Sequence, residues 1–222
     1  MYVIISNGPR SCGKDTMVSL LLKMFPAAVH VRIKDVLYKH TYENFKLAER
    51  GMSFDQWVEL CNNTTAKMTR VDFLGNRSPV EVLVWSSEDY FKALLGEDAV
   101  IEKCLDMIEE NHPDYKDKFF IFSDGGFTNE YRYIVKRWGL KRKDHSLVRI
   151  MRPKCAYKAG DNRHFIPNPS VIFNNSHDLK HFLAEVKHHF ELQHLYGDIP
   201  FTINRVRVKE FALELQPLQV SA

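Results

Sequence analysis

Apolar residues follow two rhythms along this chain. Short, nearly unbroken apolar runs alternate with stretches in which apolar positions recur every three or four residues. The runs Tyr2-Val3-Ile4-Ile5, Val29-His30-Val31-Arg32-Ile33, Phe119-Phe120-Ile121-Phe122-Ser123, Leu147-Val148-Arg149-Ile150-Met151 and Ser170-Val171-Ile172-Phe173 predict five strands. Helical spacing covers about 14–25, 128–138 and 179–196. It also dominates 34–110, in pieces at 35–50, 54–62, 79–94 and 97–110, with Ser78-Pro79 and Gly96 as punctuation. Strands alternating with helices predict an α/β fold, a five-stranded parallel sheet covered by helices on both faces. A single domain is expected, with 35–110 as a helical insertion.

The tail, 198–222, reads differently. Phe201, Ile203, Val206, Val208, Phe211, Leu213 and Leu215 alternate in part with polar residues, which predicts one or two added strands. These would form an edge strand, a homodimer contact, or a cover for the sheet.

Composition narrows the class. The 222 residues are 45% hydrophobic and 27% charged, ordinary for a globular chain with a sizeable core. A formal charge of +3 gives no reason to expect a duplex-coating protein, although local basic clusters can still hold phosphates. Cys12, Cys61, Cys104 and Cys155 are far apart and form no C-x-x-C, which argues against a disulfide scaffold or a zinc site. The apolar stretch at 2–5 is too short for a signal peptide, and no run reaches membrane-spanning length. A cytoplasmic location without membrane contact is expected.

The chemistry concentrates in Ser6-Asn7-Gly8-Pro9-Arg10-Ser11-Cys12-Gly13-Lys14-Asp15-Thr16. Gly8, four residues, Gly13 and Lys14 give the spacing of a phosphate-cradling loop, with a strand before it and a helix after it. Glycines let the backbone turn its N–H groups inward, and the helix points its positive end at the same anion. A glycine-rich turn with chance spacing is the alternative. Ser11, Cys12 and Gly13 belong to the cradle, and Lys14 can reach the outer phosphates. Cys12 is either reactive or a small filler. Asp15 stands where such loops place Ser or Thr; a carboxylate there can serve Mg²⁺, a cation that favours hard oxygen ligands. Thr16 is then assigned to an inner phosphate.

Gly13-Lys14-Asp15-Thr16 resembles the loop of the phage-type deoxynucleoside monophosphate kinases, although phosphomevalonate kinases of the animal type also carry Gly-Lys-Asp. Residues 119–134 resemble the deoxynucleotide kinases' strand ending in Asp, followed by Phe and an Asn-Glu pair. Residues 77–100 are similar to their Pro-x-Glu-x-Leu helix and Gly-x-Asp segment, 148–153 to the strand leading into the lid, and 171–175 to the last strand with its Asn. The matches keep the family's order. The resemblance implies a P-loop kinase fold, ATP with Mg²⁺, and transfer to a deoxynucleoside monophosphate. It implies that Asp124 orients the metal. It also marks two departures: Gly126 and Val80 stand where the family usually has arginines that hold substrate phosphate. Arg70, Arg77, Lys92 and Arg132 are the candidate replacements.

Other constellations remain two-sided. Arg149, Arg152, Lys154, Lys158 and Arg163 cluster between the fourth and fifth predicted strands, and 152–165 has the composition of a mobile lid over phosphates, or of a solvated basic loop. Arg152 and Arg163 are the preferred clamps. Lys34-Asp35 opens the acceptor region, where Asp35 captures a sugar hydroxyl or base, or caps a helix. Trp85 stacks on a base, or packs in the core. His177 and His181 share a helix face that suits a metal or simply water. The rival readings are a phosphomevalonate-type kinase, a degenerate nucleotide sensor and, behind both, a DNA-binding protein.

Overall fold

The computed structural model describes residues 1–157, 163–176 and 178–219, with backbone only for 216–219. In chain order the elements are β1 (Tyr2–Asn7), α1 (Lys14–Met24), β2 (Ala28–Val31), α2 (Asp35–Asn44), α3 (Phe54–Asn62), α4 (Pro79–Trp85), α5 (Ala99–Asn111), β3 (Phe119–Phe122), α6 (Thr128–Arg137), β4 (His145–Met151), β5 (Val171–Asn174), α7 (Leu179–Leu195) and α8 (Val208–Gln219). A π-helical segment, Ser86–Leu95, continues α4. The chain forms two compact units, Met1–Arg32 with Asn111–Ala222, and Ile33–Glu110.

The first unit is an α/β layer. Its five strands are parallel, in the order β2-β3-β1-β4-β5. The central strands lack hydrophobic alternation because both faces are covered. Tyr2, Ile4, Phe119, Ile121, Val148 and Ile150 pack on one face against α1, α7 and α8, through Met17, Leu21, Phe182, Phe190 and Phe211. On the other face, the Phe120 and Phe122 rings lie 5.1 and 6.0 Å from Trp138, just past α6. The register sets Tyr2 beside Phe119 and Asn7 beside Arg149. All strands therefore deliver their carboxyl ends to one edge, where α/β sheets bind ligands.

The tail departs from the sequence expectation. Residues 201–207 form neither strand nor helix, and 208–219 are helical. The apolar residues that suggested alternation also fit a helical stripe: Phe211, Ala212 and Leu215 fall at i, i+1 and i+4 and pack onto the core. A helix satisfies its own backbone, so the tail covers the sheet without adding strands.

The second unit is helical. Ser53 and Ser78 cap α3 and α4, each accepting from the backbone N–H three residues on, while Gln56 and Glu81 reciprocate. Its core gathers Tyr38, Leu47, Trp57, Leu74 and Val82. The Trp57 indole donates to the Tyr38 carbonyl and to Thr41 Oγ1, both at 3.1 Å, so its one polar atom is satisfied inside the core.

Candidate functional site

The glycine loop joins β1 to α1 at the carboxyl edge of the sheet. Gly8 lies against β4: a Cβ there would sit 2.6 Å from the Ile150 carbonyl oxygen and 2.7 Å from Cys12 Sγ. Gly13 has φ +111° and precedes the first residue of α1; its Cβ would meet Asn175 Nδ2 at 2.6 Å. The Asn175 amide donates to the Cys12 carbonyl at 2.8 Å, fastening the loop to the end of β5. Lys14 folds back over the loop, its ammonium donating to the carbonyls of Gly8 (2.6 Å) and Pro9 (2.7 Å). Asp15 is exposed and Thr16 half-buried in the first turn of α1.

Cys12 is fully buried. Burial pushes its thiol above the usual range, and Lys14 only partly opposes this. A buried thiol held above its usual range suits a small packing side chain more than a nucleophile.

The basic segment after β4 rests on this loop at one end. Arg152 donates to the Ser11 carbonyl at 3.1 Å, and Cys155 lies 3.7 Å from the same oxygen. The other end rests on the turn after β3. His164 N–H reaches the Gly126 carbonyl at 3.3 Å, and Thr128 is hydrogen-bonded to the His164 ring at 2.8 Å. The aliphatic stem of Arg163 covers Gly126: a Cβ at 126 would lie 3.1 Å from Arg163 Cγ and Cδ. Arg149 donates to the Ile166 carbonyl at 2.6 Å and lies 5.0 Å over the Phe165 ring. Lys158 falls outside the described residues.

Asn7, which the sequence reading passed over, ties these pieces together. Its amide nitrogen lies 3.1 Å from the Gly125 carbonyl, 3.1 Å from the His164 carbonyl and 3.3 Å from the Tyr157 hydroxyl. Its Oδ1 accepts from Ile166 N–H at 3.0 Å. The available signal was a polar residue ending an otherwise apolar strand. Tyr157 was also missed; burial pushes its hydroxyl up to about 12, so it acts as a neutral hydrogen-bonding group.

Asp124 follows β3 at the same sheet edge. Glu130 accepts from the N–H groups of Gly126 and Phe127, both at 3.1 Å, and thereby orders the turn that carries Asp124. A cavity of about 500 Å³ opens beside the loop, lined by Arg152, Cys155, Phe165, Asn174 and Ser176. The glycine cradle, the head of α1 and the ammonium of Lys14 suit a polyphosphate. Asp15, Thr16 and Asp124 are oxygen donors of the kind Mg²⁺ takes.

The acceptor candidates on the helical unit are dispersed. Lys34 donates to Asn62 Oδ1 at 3.1 Å and lies 5.6 Å over the Tyr38 ring. Asp35 opens α2 in its first turn; the cap position belongs to Lys34, so the cap reading of Asp35 fails. Arg70 pairs with Glu81 at 2.6 Å, and Lys92 with Glu88 at 2.7 Å. Arg77 is exposed, and Arg132, on α6 in the other unit, is exposed too. Trp85 is half-buried in an aromatic group with His40, Phe45 and Tyr90, outside the core that Trp57 occupies. His181 faces Glu185 at 3.4 Å, and His177 lies outside the described residues. Among the described residues no three His, Cys, Asp or Glu side chains gather as a metal site.

No helix among the described residues is long and apolar enough to cross a membrane. No protein-family model matches the chain. No curated protein matches it either. Among solved structures it is similar to the crystal structure of TT1252 from Thermus thermophilus, with a TM-score of 0.46 and 16% identity over 87% of this chain and 97% of that one.

Proposed function

We propose that this protein transfers the terminal phosphoryl group of ATP to a deoxynucleoside monophosphate, giving the deoxynucleoside diphosphate and ADP. The observation that carries the reading is the Gly8–Gly13 loop at the head of α1. It has no room for side chains at either glycine, and Lys14 folds over it.

In this reading the loop N–H groups and the α1 terminus bind the donor's phosphates. Lys14 exchanges its two loop carbonyls for phosphate oxygens, a like-for-like trade of charge-assisted hydrogen bonds. Asp15 and Asp124 hold Mg²⁺, and Thr16 meets an inner phosphate. Mg²⁺ supplies charge neutralisation on the phosphates when bound. Arg152 and Arg163, at the two ends of the basic segment, stabilise charge on the group in flight. The acceptor's phosphate oxygen is already anionic, so no side chain is assigned as a general base. Acceptor binding is assigned to Lys34, Asp35, Arg77 and Trp85, with Arg132 from α6. Arg70 would have to release Glu81 to join them.

An ATP-coupled assay against all deoxynucleoside and ribonucleoside monophosphates tests this, with mevalonate 5-phosphate as the rival acceptor. Turnover of at least one deoxynucleotide is expected. Lys14→Ala should reduce it by about 10²–10³-fold while the circular dichroism melt stays put. ATP binding without turnover of any acceptor would favour a nucleotide sensor, and turnover of mevalonate 5-phosphate alone would overturn the acceptor assignment.

A further inference from the structure

The far end of α6 carries charge that the proposed reaction leaves unused. Lys136 and Arg137 close the helix, and Lys141, Arg142 and Lys143 follow before β4. Residues 136–144 hold five Lys or Arg against one carboxylate, Asp144. That is a net of +4 in a chain whose formal charge is +3, so the rest of the chain is net −1. All of the excess positive charge sits in this one stretch.

The fold makes the stretch a single surface. Gly139, at φ +62°, ends α6. Leu140 N–H donates back to the Val135 carbonyl at 3.0 Å and Gly139 N–H to the Lys136 carbonyl at 3.3 Å, which turns the chain out of the helix. A 3-10 turn follows at Arg142–Asp144. Asp144 accepts from the Lys141 N–H at 2.8 Å, so the one carboxylate present is engaged by backbone. His145 then ties the turn to α6. Its Nδ1 lies 2.9 Å from the Lys141 carbonyl oxygen and its Nε2 2.9 Å from the Tyr131 hydroxyl. A carbonyl only accepts, so Nδ1 carries the proton and Nε2 accepts from Tyr131.

Internal causes explain only part of this charge. Cations in the last turn of a helix offset its dipole, which accounts for Lys136 and Arg137. It does not account for 141–143. Lys136, Lys141, Arg142 and Lys143 are exposed, and none forms an ion pair among the described residues. The stretch also lies away from the glycine loop. Its end at His145 pairs with Val3, near the start of β1, whereas the loop follows Asn7 at the opposite edge of the sheet.

The neighbouring side chains narrow the partner. No large apolar side chain of 128–145 is exposed, whereas segments that bind membrane surfaces insert such side chains. The rings are occupied too. Trp138 packs on Tyr115, Phe120 and Phe122, Tyr131 holds His145, and Tyr133 is half-buried. Unpaired bases therefore find no open ring on which to stack. What the surface offers is fixed positive charge alone, the complement of a regular array of phosphates.

We propose that Lys136, Lys141, Arg142 and Lys143 bind the phosphate backbone of a nucleic acid duplex, without regard to its sequence. The proposal does not rest on the kinase reading, since the patch and the glycine loop occupy opposite edges of the sheet.

The test is fluorescence anisotropy of a labelled DNA duplex of about 20 base pairs, titrated with the full chain at about 50–200 mM salt. Wild type should bind, with log affinity falling against log salt at a slope of about −3.6, about 0.9 for each of the four cations. Lys141→Gln/Arg142→Gln/Lys143→Gln should weaken binding at least about tenfold at the lowest salt and flatten the slope by about 2.7. Lys141→Arg/Lys143→Arg should bind like wild type. Lys180→Gln/Arg205→Gln/Lys209→Gln, the same charge loss at exposed positions elsewhere, should keep the wild-type slope. A wild type without saturable duplex binding at the lowest salt overturns the proposal, as does a 141–143 triple variant with the wild-type slope. Tighter binding of the corresponding single strand would overturn it in favour of a stacking surface. Patch-dependent capture of phosphatidylserine vesicles without duplex binding would overturn it in favour of a membrane surface. No ATP or acceptor enters the titration, so a failure of the proposed reaction and a failure of this surface are told apart.

Discussion

Replacing Asn7 by Leu keeps the side chain's approximate size and deletes every hydrogen bond it makes. Asn7 is fully buried. Two of its partners cannot turn to water. Ile166 is 1% exposed, and its N–H donates to Asn7 Oδ1 at 3.0 Å. Gly125 is buried, and its carbonyl accepts at 3.1 Å. Each stranded group costs about 1–3 kcal/mol, so about 2–6 together. His164 is exposed and Tyr157 half-buried, so their oxygens can be rehydrated at little cost. Against this, burying the leucine contributes at most about 2 kcal/mol. The net expectation is a loss centred near ~2 kcal/mol, the mid-range ~4 for the stranded groups less ~2 for the leucine, read as a shift in the urea midpoint by tryptophan fluorescence. Amide exchange at Ile166 should accelerate beyond what the global loss explains.

Asn7→Asp separates polarity from size. Its carboxylate keeps the Ile166 N–H but confronts the carbonyl oxygens of Gly125 and His164. Burial and those oxygens raise the folded-state pKa above the unfolded value of about 3.9. Protonation restores one donor. The variant should therefore lie closest to wild type below about pH 4 and fall away as pH rises through the raised pKa. An Asn7→Leu midpoint within about 0.5 kcal/mol of wild type, well below the range expected for stranded groups, would refute the reasoning, as would an Asn7→Asp gap independent of pH.

Gly13→Ala should cost about 2–4 kcal/mol. Positive φ contributes about 1–2, and the Asn175–Cys12 bond that the new Cβ displaces supplies the rest. Gly51→Ala, also at positive φ but with open space around it, is the control and should lose only about 1 kcal/mol in the same urea titration. His189 sits edge-on to Phe173 and Phe190 with Nε2 buried and unbonded, and burial together with His188 lowers its pKa. The unfolded chain thus takes up that proton first, so stability should decline as pH falls below the ordinary value of 6.5. His189→Leu should flatten that part of the slope in urea midpoints taken across the window; an unchanged slope would remove His189 as a cause.

Much of the fold was legible because its signals are local. Unbroken runs such as 119–122 mean strands covered on both faces, and Ser53 and Ser78 announce helices that begin one residue later. The tail misled because Phe201, Ile203, Val206 and Val208 do alternate, while the helical stripe sets in only afterwards, at Phe211 and Ala212. The glycine loop was readable for the same local reason: its spacing, its strand and its helix all lie within 2–24. What holds the loop was not readable. Asn7 meets Ile166, Gly13 meets Asn175 and Ser11 meets Arg152, pairs that only the parallel sheet brings to one edge.

Gly126 shows why such pairings change the interpretation of a motif. Read along the chain, a glycine where the resembling kinases place an arginine is a missing cation. In three dimensions the position is filled. The stem of Arg163 lies where a Cβ at 126 would intrude, at 3.1 Å from both Cγ and Cδ. A side chain at 126 would crowd Arg163 in its present place, and with the turn held by Glu130 and the flank anchored at His164, the Arg163 stem would have to give by a few tenths of an ångström. The glycine thus lets the Arg163 stem, from the segment after β4, lie close on the turn after β3. A motif comparison that scores one position at a time records a loss there, whereas the packing records an arginine reaching the same turn from another part of the chain.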